Sequence, residues 1–239
     1  MINKKINPNL IKLAEMTHNF DLALPDFEML EKQTAQPDKT TTLFLDKENF
    51  VYVPSINLYV AKERTLHGLN WYDTHKELHK QDMKMPTIYE FTQFLKYLKS
   101  QPQNQEYQKI LDEILTVRNP WRSEWLDADF KVINGKLHIN YNHKTINNQL
   151  QPQNSEILEE CLMEDKTPGI SLEDWLDNPT KHGLPRADVK KGSIYYWKPL
   201  TDNNSVARFF ADSVGAGLDC DGGPAGSNSS LGVFGCIAR

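Results

Sequence analysis

The chain has 239 residues, 39% of them hydrophobic and 25% charged, which is enough apolar surface for a buried core and excludes a disordered segment. Its 27 Lys and Arg stand against 32 Asp and Glu, a net charge of −5, which excludes a general phosphate-binding surface. The apolar runs are too short for a membrane span, and three cysteines make neither a disulfide scaffold nor a zinc site.

The N-terminus, residues 1–8, has no apolar signal region or cleavage site, so a soluble protein without a signal peptide is expected. Residues 9–16 carry Leu10, Ile11, Leu13 and Met16 on one helical stripe, and a second short helix follows Pro25. Residues 42–61 alternate at period two through Leu43, Leu45, Phe50, Tyr52, Leu58 and Val60, the pattern of a small antiparallel β unit. Asn70 caps an expected helix over 70–81, with Asp73 in its first turn. Thr87 and Glu90 form a capping box for the next helix, whose buried face is Ile88, Phe91, Phe94, Leu95 and Leu98. A third helix is expected over 106–117.

Residues 130–141 read as a hairpin turning at Asn134-Gly135. Residues 154–163 read as a short helix, and Ser171 with Asp174 as a second capping box ahead of Trp175 and Leu176. Strands are expected at 193–197 and 206–211. Beyond them the segment 214–236 holds Gly215, Gly217, Gly222, Gly223, Gly226, Gly232 and Gly235, more than half of the chain's 12 glycines. It reads as a loop-rich terminus closed by a strand at 231–234. Absence of a repeat or linker favours one main domain over 41–239, preceded by a helical extension over 1–40 that packs on it.

Few residues offer chemistry. His75 and His79 share a helix face at metal-site spacing, but Glu77 projects about 200° away, and the Lys- and Glu-rich segment reads as a solvated face with no third ligand. No metal is therefore expected. Asp219-Cys220-Asp221 resembles the start of a calcium loop, yet Pro224 and Ser230 occupy the places of the required Gly and Glu. Cys220 has no base or cation beside it in sequence, so a structural thiol or a pair with Cys236 is the plainer reading. The five tryptophans are expected in or near the core, with one or two free to frame a pocket. No catalytic constellation is legible, and neither an enzyme nor a cofactor is expected.

Two stretches carry a resemblance. Asn70-Trp71-Tyr72-Asp73, followed by Pro86, Thr87, Glu90 and Phe91, resembles the two-helix part of the C-type lectin fold of the formylglycine-generating-enzyme type. The C-terminus, from Ser205-Val206-Ala207-Arg208-Phe209-Phe210 through Ala216-Gly217-Leu218 to Leu231-Gly232-Val233-Phe234, is similar to the variable end of diversity-generating-retroelement target proteins. The resemblance spans most of residues 70–239, with Gly232-Val233-Phe234 where that family often reads Gly-Phe-Arg. It implies an α+β, C-type-lectin-like domain with a small twisted antiparallel sheet, two core helices and helical insertions near 102–118 and 154–180.

It also implies a hypervariable surface that binds ligands, with a variable region near 205–230. Retroelement mutagenesis of adenines in Asn codons does not reach Lys, Gln, Glu, Met or Trp, and none of these occurs in residues 212–230. The positions between the framework residues are Val214, Asp219, Asp221, Gly222, Gly223, Ala225, Gly226 and Asn228. They are expected to form one exposed face that binds a protein ligand, on a monomer that neither inserts into a membrane nor binds nucleic acid. An enzyme of the formylglycine-generating type, or a structural module of a virion or cell surface with a fixed partner, is the alternative.

Overall fold

The computed structural model describes residues 47–239, and Asp46–Arg239 forms one compact unit. The expected helices in the first forty residues, and the Leu43 and Leu45 end of the first β unit, lie outside the described residues. The fold is α+β. A three-stranded antiparallel sheet joins β1 (Phe50–Val53) and β2 (Leu58–Ala61) to the last strand of the chain. Three helices follow: α1 (Trp71–Lys80), α2 (Ile88–Lys99) and α3 (Gln105–Leu115).

The main sheet then begins with β3 (Arg122–Ile133) and β4 (Lys136–Tyr141). A two-stranded ribbon, β5 (Lys144–Ile146) with β6 (Gln149–Gln151), precedes β7 (Asn154–Ile157) and β8 (Lys166–Ile170). After the short α4 (Leu172–Asp177) come β9 (Ile194–Trp197), β10 (Ser205–Ala211), β11 (Ala216–Gly222), β12 (Leu231–Gly232) and β13 (Cys236–Ala238). The large sheet runs β7-β4-β3-β10-β11-β9-β8, with β12 pairing β3, and β13 completes the small sheet beside β2. Among the described residues no helix is long and apolar enough to cross a membrane.

Local chemistry sets the helix starts as the sequence predicts. The Asn70 side chain accepts the Asp73 N–H, and Thr87 and Glu90 exchange both hydrogen bonds of the capping box. Ser171 caps α4, but the Asp174 carboxylate turns away and accepts the Lys190 N–H at 2.8 Å, so the reciprocal half of that box is missing. Asn134 and Gly135 both take positive φ, 51° and 74°, as a two-residue hairpin turn requires. The buried stripe of α2 packs on the sheet: Phe91 lies 5.4 Å from Phe209, and Phe94 lies 5.9 Å from Phe234, ring centre to ring centre.

Three expectations are corrected. Residues 154–157 form an edge strand antiparallel to β4, not a helix, so the second insertion is helical only at α4. The apolar residues of that segment satisfied a helical spacing, but the open edge of β4 offered its backbone partners. The sheet is larger than expected and is not purely antiparallel, since β11 pairs with β9, and β12 with β3, in parallel. The glycine-rich C-terminal segment contains a central strand, β11. Its glycines make room for a neighbour: a Cβ on Gly217 would stand 2.3 Å from the Tyr195 carbonyl oxygen, and one on Gly215 would meet the Tyr195 ring at 2.2 Å.

Two substitutions check this packing. Thr87→Ala removes the cap of α2 and is expected to lower stability by about 1 kcal/mol. Phe234→Ala empties a buried site against Phe94 and is expected to cost about 3–5 kcal/mol. Denaturant midpoints at constant m-value measure both.

Candidate functional site

Apart from the β10–β11 turn, the C-terminal segment meets solvent in two places. The first is the sheet face around β10 and β11. Leu218 and Cys220 point into the core, while Asp219 and Asp221 line a shallow pocket of about 320 Å³ with Arg208, Phe210, Trp121 and Trp197. Arg208 holds Asp219 through Nε and Nη2, both at 2.7 Å from one carboxylate oxygen, and the other oxygen accepts the Asp221 N–H at 2.8 Å. Asp219 is thereby occupied and only 5% exposed. The Arg208 guanidinium lies over the Trp121 ring at 5.8 Å, a cation–π contact within the pocket lining.

The second place is the loop over residues 223–230. Its shape rests mainly on backbone bonds. Gly226 N donates to Gly223 O, Leu231 N to Asn228 O, and Trp71 N to Pro224 O at 3.0 Å. Arg64 fixes the loop's end by donating to the carbonyls of Ser123 and Ser230 at 3.0 and 3.1 Å. One candidate side chain takes part, since Asn228 Oδ1 accepts the Ser230 N–H.

Of the eight positions expected to vary, Val214, Asp221, Gly223, Ala225, Gly226 and Asn228 are exposed. Asp219 and Gly222 are buried, and this corrects their placement on an open face. Ion pairing with Arg208 draws Asp219 in, and a Cβ on Gly222 would lie 3.1 Å from the Val206 carbonyl oxygen. Val214 also stands apart. It occupies the β10–β11 turn, separated from the 223–230 loop by the whole of β11, roughly 25 Å at the rise of a strand. Trp121 and Trp197 are the tryptophans that frame a pocket, whereas Trp71, Trp125 and Trp175 are core.

A second constellation lies in the interior. His75 is fully buried rather than on a solvated face, and Asp127 and His143 stand beside it, so the premise of no third ligand is overturned. A bulge presents Asp127: opposite the single residue Ala207 of β10, β3 carries Leu126, Asp127 and Ala128. On the other edge of β3 these residues have no strand partner. Trp71 Nε1 donates to Leu126 O at 2.9 Å, and Asp127 N donates to Pro86 O at 2.8 Å.

The Asp127 carboxylate accepts the His143 backbone N–H at 3.0 Å and meets His143 Nδ1 at 2.5 Å, while His75 Nε2 lies 3.6 Å away. Burial opposes ionisation of Asp127, but the side-chain and backbone hydrogen bonds from His143 outweigh it and hold the carboxyl below its usual range. Burial pushes His75 down to about 3, against the pull of Asp127, so it is a neutral imidazole. His79 sits outside this group, with Nδ1 2.8 Å from Thr145 Oγ1 on the β5–β6 ribbon. No motif marks Asp127 or His143 in the sequence. Only a fold brings them to His75.

The three cysteines Cys161, Cys220 and Cys236 are buried and free, and burial pushes each thiol up. The pair of Cys220 with Cys236 does not form. No protein-family model, curated protein or solved structure matches the chain.

The acidic pair in the pocket generates a pH dependence. A hydrogen bond shared with Asp219, then partial burial and the charge of Asp219, push Asp221 up to about 7. In the unfolded chain the same group ionises near 3.9, an ordinary aspartate value to about a unit. Between those values the folded protein keeps a proton that the unfolded chain has lost. The stabilisation is full below about pH 4 and is lost as pH rises through about 7. Asp221→Asn is expected to reduce the decline in stability between those limits, modestly because the side chain is exposed. Urea denaturation of both proteins across that range checks the sign.

Proposed function

We propose that this chain is a ligand-binding protein of the diversity-generating-retroelement variable type, presenting its C-terminal segment from a C-type-lectin-like domain to a protein ligand. The observation that carries the reading is the contrast between side chains and backbone over residues 221–231. Asp221, Gly223, Ala225, Gly226 and Asn228 face solvent, while Gly222, Pro224 and Leu231 are buried and backbone bonds hold the loop. Such a loop accepts changes of side chain without losing its path. A diversifying system needs that property, because its targets cannot be core residues.

The pocket beside the loop supplies the chemistry of recognition. Asp221 is an exposed acid, Trp121 and Trp197 are half-buried aromatic walls, and the Arg208–Asp219 pair is already satisfied. A basic or hydrogen-bond-donating group on the ligand fits Asp221. The loop itself carries no Tyr or Trp anchor, so this particular sequence is expected to bind weakly. The formylglycine-generating alternative is disfavoured chemically: it needs two reactive cysteines in one cleft, and here every thiol is buried with its thiolate form suppressed.

The encoding locus tests the reading. A neighbouring reverse transcriptase gene, with a template repeat that differs from the C-terminal coding stretch only at adenines, is the expected finding; a locus with neither overturns it. At the protein level, replacing Gly223, Ala225, Gly226 or Asp221 by Tyr or Ser is expected to shift the melting temperature by no more than about 2 °C, about 0.5 kcal/mol or less each. Asp219→Ala, which strands Arg208, and Gly222→Tyr, which collides with β10, are expected to destabilise clearly. Thermal melts of the set separate the two groups.

A further inference from the structure

We propose that His75, Asp127 and His143 form a binding site for a single divalent transition-metal ion, with zinc the best fit. All three side chains are buried, and one ligand atom from each lies within 4.8 Å of the others. Around a tetrahedral ion with bonds of about 2.0–2.2 Å, ligand atoms stand about 3.3–3.6 Å apart. His75 Nε2 and Asp127 Oδ1, at 3.6 Å, already have that spacing. His143 Nδ1, at 2.5 Å, is hydrogen-bonded to the same oxygen and needs to withdraw by less than about 1 Å for an ion to replace the shared proton.

Three features separate this cluster from an ordinary buried hydrogen-bond network. Neither ring nitrogen of His75 has a hydrogen-bond partner, although the residue is fully buried. A core histidine retained for packing would pair its N–H, because leaving it unmade is costly. An ion at Nε2 gives that atom its partner. Next, Asp129 Oδ1, itself without a hydrogen bond, lies 3.7 Å from His143 Nε2. A carboxylate behind a histidine is the arrangement that fixes the tautomer of a metal-ligating imidazole. Finally, His143 also lines a cavity of about 640 Å³ together with His79, Lys84, Lys144 and Thr145, which gives an ion a route inward and a place for a fourth ligand.

The coordination number follows from the walls. The Trp71 ring packs edge-on against His75 at 4.4 Å and His143 at 5.0 Å, so one side of the site is closed. Three protein ligands and one open position then favour a four-coordinate ion over an octahedral one that would need three further ligands.

The test uses the full chain without a histidine tag, stripped by chelator and titrated with cobalt(II) and then zinc(II). The expected result is one ion per chain, visible cobalt absorption of tetrahedral intensity that zinc displaces, and a rise in melting temperature with zinc that chelator reverses. His143→Gln is expected to abolish the cobalt signal. Should that variant not fold, Asp129→Asn, at the periphery of the site, is expected to bind with about 10–100-fold lower affinity at the same stoichiometry. His79→Ala is expected to bind as the native chain does. Wild-type protein that takes up no stoichiometric cobalt, and melts identically with zinc and with chelator, overturns the proposal. So does binding that survives in a folded His143→Gln variant, or that depends on His79 instead.

Discussion

A fully buried carboxylate organises the middle of this protein. Asp127 cannot be taken out of water without partners, and those it has come from distant segments: His143 after β4, His75 on α1, and the Pro86 carbonyl for its backbone N–H. Trp71 closes the arrangement, with its indole N–H on Leu126 and its ring against both histidines. Removing Asp127 would leave two imidazoles and a bulged strand without a reason for their positions.

The bulge that aims Asp127 also connects the interior to the surface. Ala207 of β10 faces three residues of β3 on one side and both Cys220 and Asp221 of β11 on the other. Two register shifts therefore align at one residue. One turns Asp127 toward α1, and the other lies at Asp221, beside the pocket with Asp219 and the two tryptophans. Trp71, itself buried, also supports the loop over 223–230, since its backbone N–H donates to the Pro224 carbonyl. The loop thus hangs from the residue that covers the histidine cluster.

The local elements were legible because their causes are local. Asn70, Thr87 and Ser171 cap helices through bonds three residues away, and Asn134-Gly135 turns a hairpin through its own backbone angles. The apolar stripe of α2 states which face is buried. The failures share the opposite cause. Residues 154–157 became a strand because β4 had a free edge, and the glycine-rich stretch became β11 because Tyr195 of β9 needs the space that Gly215 and Gly217 leave. Among the candidate sites, the exposed residues of the loop were expected only from the resemblance, as the positions between its framework residues. Asp219 and Gly222 were expected with them, but Arg208 and Val206 decide their burial.

By itself the sequence determined the caps, the hairpin turn, the α+β class and the small-residue character of the C-terminal segment, all properties of neighbouring residues. Only the tertiary structure decided that His75 is a buried neutral imidazole beside Asp127 and His143 rather than a solvated helix residue. Burial and electrostatics at that site depend on groups from α1, β3 and the segment after β4, and no spacing along the chain records which of them a fold will bring within hydrogen-bonding distance.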